Sequence, residues 1–193
     1  MASTPQETSL SEVGVYYRRS DYAGFWRRFG TDVIDILVVF AIIILCSILI
    51  AFLLPDQLGT RSDPRLPLPI FFLLPAVPFA YFVLLKRSTF RTIGYRICGV
   101  RIVDLQGKRP TLFALTARLL FAVLGPLNFL LDLAWIPGDS NRQALRDKFA
   151  HTYVILATAE PEGRGTIAYT PYHFFGMSFL FPEVKTSHES TAL

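Results

Sequence analysis

RFGTDVIDILVVFAIIILCSILIAFLL, residues 28–54, decides the fold class. From Val33 to Leu54 the chain is apolar for 22 residues, apart from Asp35 and the pair Cys46-Ser47. A helix of that length crosses a hydrocarbon core of about 30 Å. Arg28, Asp32 and Asp35 stand at its start, four and three residues apart. On an α-helix they share one stripe. A carboxylate carried into a membrane is costly and is expected to face protein or water with a partner. The stripe is therefore the first candidate site.

Working outward, the composition agrees. Hydrophobic residues make up 52% of the 193, gathered in long blocks as spans require. The first 30 residues lack the apolar core of a cleavable leader, so the run is expected to act as an uncleaved anchor. Residues 1–20 read as a mobile N-terminal tail. Tyr22–Phe29 mixes aromatic side chains with Arg27 and Arg28, which suits the headgroup level. Cys46 and Cys98 fall at different depths, so no disulfide is expected.

Beyond a proline-rich connector, residues 55–69, a second span is expected over Leu68–Leu85, loosened by Pro75 and Pro78. Lys86–Pro110 carries seven Lys or Arg against one acid. Inside it Val100–Leu105 alternates like a strand and Gln106-Gly107-Lys108 reads as its turn. Thr111–Ile136 is apolar but interrupted by Arg118, Gly125-Pro126 and Asp132. As one helix it crosses the membrane; as two half-helices hinged at Gly125-Pro126 it dips in and returns. Arg118 and Asp132 each lie seven residues from Gly125. A hairpin would set them at equal depth as an intramembrane ion pair, whereas a straight helix holds them roughly 21 Å apart. The broken or re-entrant form is preferred. It also leaves residues 152–156, a strand-like run, on the same side as 100–105 and able to pair with it. Residues 158–193 read as a C-terminal tail. Its aromatic run Tyr172–Phe181 is too short to span.

Basic residues accumulate on the cytoplasmic side of a membrane. The segments before the first span and at 86–110 are the basic ones, so the N-terminus is expected to be cytoplasmic. The expected fold is thus an all-α integral membrane protein: two full transmembrane helices, a third broken or re-entrant segment, and a small cytoplasmic β element of 100–105 with 152–156.

These blocks resemble the RDD family of small membrane proteins, named for one arginine and two aspartates. The opening Gly24–Phe29 with Ile34-Asp35 is similar to the family's first motif. Thr92-Ile93-Gly94 and Gly99–Asp104, with Gly107 and Pro110, resemble its loop. Arg142–Ala150 with Thr152 and Val154 resembles its closing motif. The match covers residues 22–157, which sets off an RDD-type domain over 21–157. The resemblance maps the family arginine to Arg28, with Arg27 as the alternative, and the aspartates to Asp35 and Asp147, leaving Asp32 as an additional acid. His151 stands where the family motif carries glycine. The family has no settled biochemical role: transport, including sodium–proton exchange, has been proposed, and other members act as membrane partners.

Arg28, Asp32, Asp35 and Asp147 are thus the candidate charged cluster or ion site. Asp35 reads either as a proton or cation site with Asp32 beside it, or as a structural ion pair with an arginine. No residues stand at metal-ligand spacing, and no cofactor motif or nucleophile elbow is present in the sequence. A non-enzyme is expected. The leading expectation is a small transport protein for cations, protons or another solute, working as an oligomer; the alternative is a non-catalytic membrane adaptor or assembly factor that binds a partner protein. The bilayer itself is the expected partner, with anionic headgroups at Lys86–Arg109 rather than nucleic acid. The implied location is a bacterial inner (plasma) membrane.

Overall fold

The computed structural model describes residues 13–53, 68–123, 131–132, 134–139, 141–174 and 177–185. The run quoted above folds as one helix, α1 (Phe25–Leu53). Its buried side chains are Arg28, Thr31, Asp32, Asp35 and Val39, a single stripe at helical spacing. Leu37, Phe40, Leu45 and Phe52 on its other faces are exposed. Only 6% of its most apolar stretch is buried by protein. A core helix of a water-soluble domain would bury one apolar face, so this outer surface suits lipid.

Among the described residues α1 is the one helix long and apolar enough to cross a membrane. The expectation of two full transmembrane helices is corrected on this point. The second apolar helix, α2 (Leu68–Phe79), continues as a π-helical turn over Ala80–Leu85. Its apolar stretch Phe71–Leu85 is shorter than a span. At about 1.5 Å per residue it reaches roughly 22 Å, against a core of about 30 Å. Pro75 and Pro78 lie inside α2. Each removes a backbone N–H from the helical ladder, and a wider turn follows where the ladder reorganises. The connector 55–69 falls almost wholly outside the described residues, and so does the Gly125-Pro126 hinge.

A short helix α3 (Ile93–Ile97) leads into strand β2 (Val100–Asp104), and α4 spans Leu112–Val123. A five-residue helix, α5 (Leu145–Phe149), precedes β3 (Thr152–Leu156). β2 and β3 pair antiparallel, Val100 opposite Leu156 and Asp104 opposite Thr152. This is the pairing expected from the alternating run 100–105 and the strand-like run 152–156. The turn after β2 is closed by the Asp104 carboxylate, which accepts from the Gln106 and Lys108 amides, while Gly107 takes φ +76°.

The all-α expectation is overturned. The chain is mixed α/β, with five strands in two antiparallel sheets. β1 (Val13–Tyr16), β4 (Gly163–Phe174) and β5 (Met177–Lys185) form the second sheet in the order β1-β4-β5. The segments expected as tails thus supply a whole sheet. The physical reason is packing. Alternate residues of β3 face opposite ways. Tyr153 and Ile155 pack with Tyr17, Tyr22, Leu105 and Val184 towards the second sheet. Val154 packs with Ala23, Val83, Tyr95 and Leu115 towards the helices. A two-stranded ladder buried on both faces needs a cover on each. The helices supply one and β1-β4-β5 the other.

Candidate functional site

Asp147 sits fully buried in α5 between two helices. Its carboxylate accepts from Arg28 of α1 and Arg118 of α4, and Oδ2 also accepts from the Ala144 amide at 3.2 Å. Arg28 donates its Nε to the Ala23 carbonyl at 2.8 Å. Arg118 donates to Thr152 Oγ1 at 2.9 Å, which fixes β3 to the same point. The next residue back, Arg146, repeats the arrangement. Its guanidinium pairs with Asp32 of α1 and, at 3.0 Å, with Asp132, while its own amide donates to Asp132 Oδ1 at 2.7 Å. Three arginines and three aspartates thus form one buried network with balanced formal charge. In a low-dielectric setting such pairing offsets the desolvation that each ion suffers.

Asp35 lies one turn further along α1 and is fully buried. Its partners are neutral. Tyr81 donates at 2.9 Å, Thr92 at 2.7 Å and the Gly94 amide at 2.7 Å. The side chain therefore fastens α1 to the π-helical turn and to the start of α3. The Thr92 hydroxyl also caps α3 by accepting from the Tyr95 amide. Gly94 is required by the approach: a Cβ there would lie 2.4 Å from the Thr31 carbonyl oxygen.

A second cluster adjoins the network. Lys148 pairs with Asp139 at 2.6 Å and with Glu183 of β5, and donates to the Tyr172 hydroxyl oxygen at 2.9 Å. Burial presses the ammonium towards neutrality, but the facing Asp139 and Glu183 carboxylates outweigh it and hold the Lys148 pKa above the usual lysine value. Burial likewise pushes the Glu183 carboxyl up, but bonds from Lys148 and Tyr172 prevail and hold it below the usual range.

The candidate residues separate accordingly. Arg28 and Asp147 meet directly, and Asp32 joins them through Arg146. Asp35 stands apart with its own donors. Arg118 and Asp132 do converge on one place, but the ion pair of Arg118 is with Asp147 and that of Asp132 is with Arg146. Sequence reasoning gave no role at the site to Arg146, Tyr81 or Thr92. Thr92 and Gly94 were visible as a motif, yet nothing in one chain tied them to Asp35. His151 takes φ +53°, the left-handed conformation that glycine adopts freely. Its amide closes α5 on the Lys148 carbonyl.

Chemically, the carboxylates of Asp35 and Asp147 face hydrogen-bond donors, which a cation would have to displace. Among the described residues no group of three or more His, Cys, Asp or Glu is placed to hold a metal ion. Comparison with known proteins gives a consistent family. The family model described as RDD family matches residues 22–151. The chain is 30% identical over 146 residues to a Bacillus subtilis (strain 168) protein named uncharacterized protein YckC, covering 72% of this chain and 88% of that protein. No solved structure matches the chain.

Proposed function

The chain belongs to the RDD family, and from that premise we propose that it is a non-catalytic membrane adaptor or assembly factor. In this reading α1 anchors the protein in the membrane and the layered β unit is a platform welded to the polar end of that helix. The observation that carries the reading is the closure of the charge network. Arg28 and Asp32 on α1 are held by Asp147 and Arg146 on α5, which is continuous with β3. An ion carrier needs an ionisable group that exchanges partners during its cycle, whereas these groups are engaged by protein on several sides. One candidate span among the described residues is also too few for a single copy to enclose a pathway.

The β4–β5 hairpin offers the contact surface. Tyr169 and Leu180 are 67% and 64% exposed. The register sets Tyr169 opposite Pro182 and Pro171 opposite Leu180, so these residues share one face. Because α5 and β3 join the N-terminal end of α1, the platform lies on the same side as Arg27, Arg28 and the basic segment from Lys86. The excess of basic residues supports reading that side as the cytoplasmic one, in a bacterial plasma membrane.

Two measurements test this. Reconstituted protein should give no cation-dependent proton flux at any pH. A partner captured from membranes should be lost on Leu180→Glu with Tyr169→Lys, while the protein stays folded. A robust flux abolished by Asp35→Asn would replace the adaptor reading with proton-coupled transport.

A further inference from the structure

A cavity of about 500 Å³ opens between α1, α2 and α4, a size typical of small-molecule sites. Its walls are apolar, including Ile36, Phe40 and Ile43 of α1, Leu74 and Pro78 of α2, and Leu119 of α4. Its floor is charged: Asp32, Lys86, Arg118 and Arg146. From the Asp32 level to Ile43 the wall runs roughly 16 Å along α1.

The four floor charges are not equivalent. Arg118 is paired with Asp147, and Arg146 with Asp32 and Asp132. Lys86 differs. It is 8% exposed, and its ammonium lies over the rings of Tyr95 at 4.3 Å and Phe82 at 5.4 Å. Among the described residues it has no carboxylate in ion-pair contact. Ring faces alone compensate a buried cation only in part. Asp32, the acid on the cavity wall, is already held by Arg146. The cavity thus joins a surplus positive charge at one end to a long apolar slot, next to the surface of α1 that suits lipid.

We propose that this cavity binds an anionic phospholipid, with its phosphate at Lys86 and an acyl chain along the α1 wall. Charge complementarity selects the head, since basic pockets between membrane helices take anionic headgroups. The apolar walls select the chain, which a free phosphate could not supply. The inference is independent of the adaptor reading, because it concerns a different surface.

The test is lipid retention by the full-length protein after delipidation, read by native mass spectrometry. The probes are phosphatidylglycerol, phosphatidylcholine and glycerol 3-phosphate. Phosphatidylglycerol should be retained roughly five- to tenfold better than phosphatidylcholine, and glycerol 3-phosphate should not be retained. Lys86→Gln should erase the preference. Ala122→Trp, which fills the slot and leaves Lys86 in place, should lose both lipids. Equal retention of the two lipids overturns the proposal, as does a preference that survives Lys86→Gln. Tight binding of glycerol 3-phosphate overturns it too. A photo-crosslinker at Leu119 that captures a second copy or another protein's helix would give the cavity a different occupant and refute it. Should Lys86→Gln fail to fold, unchanged retention by Ala122→Trp is sufficient refutation.

Discussion

Replacing Gly94 by alanine drives a methyl group into the backbone of α1. The new carbon would lie 2.4 Å from the Thr31 carbonyl oxygen and 2.7 Å from Asp35 Oδ1. Neither neighbour is the free end of a flexible side chain: one is helix backbone and the other is held by three donors. To restore ordinary contact α3 must retreat from α1 by roughly 1 Å. The same retreat stretches the 2.7 Å bond from the Gly94 amide to Asp35 beyond hydrogen-bond range. Overpacking of this kind costs about 1–3 kcal/mol, and a hydrogen bond to a charged group contributes about 1.5–3 kcal/mol. The combined expectation is a loss of about 3–5 kcal/mol, allowing for overlap. Gly30 on α1 is the control. A Cβ there meets only Cys98 Sγ at 3.7 Å, an ordinary contact. Gly30→Ala should therefore hold or raise stability by up to about 1 kcal/mol through helix propensity. Reversible unfolding in detergent, with retained monodispersity after heating as a second readout, compares the two. Gly94→Ala within about 0.5 kcal/mol of the parent, the range of an ordinary surface change, would refute the claim that α1 and α3 touch through this glycine.

Further outcomes follow from the same contacts. Asp147→Asn leaves Arg28 and Arg118 buried against a neutral group and should cost about 3–5 kcal/mol; unfolding measurements should show most of it recovered when Arg28→Met and Arg118→Met accompany Asp147→Leu. His151→Gly removes the left-handed strain at φ +53° and should gain about 1 kcal/mol, raising Tm by about 2–4 °C. The Lys148–Glu183 pair should set two limbs in a stability–pH profile. Glu183 has a lowered folded pKa, so its contribution is full above about pH 4.5 and is lost as pH falls through the lowered value. Lys148 has a raised one, so its contribution is present below the usual lysine pKa and lost as pH climbs through the folded value. Glu183→Gln should flatten the acid limb.

The α1 stripe was legible because a helix has one period: spacings of four and three residues put Arg28, Asp32 and Asp35 together whatever surrounds them. The pairing of 100–104 with 152–156 was legible because the first run alternates and the second is rich in strand-forming residues. The second sheet was not. In β4 and β5 aromatic residues stand on both faces, Tyr169 outward and Phe181 inward, so no alternation marks the run as strand. Equal spacing about Gly125 suggested that Arg118 would meet Asp132, but both were drawn to a dipeptide that spacing cannot locate. The Asp35 donors were hidden for the same reason: Tyr81 comes from the π-helical turn after α2, and Thr92 and Gly94 from the start of α3. Long-range contacts of this kind depend on how elements pack, and periodicity carries no such information.

The bond between Arg28 and Asp147 joins residues 119 positions apart, and that separation has a consequence for how the protein is made. During synthesis the first helix is complete long before its carboxylate partner exists. At about 5–20 residues per second the delay is roughly 6–24 s. Through that interval Arg28 lacks the carboxylate that holds it in the finished fold. A chain truncated before Asp147 leaves Arg28 without that partner, so the first helix can be locked to the β unit only once the chain has passed residue 147.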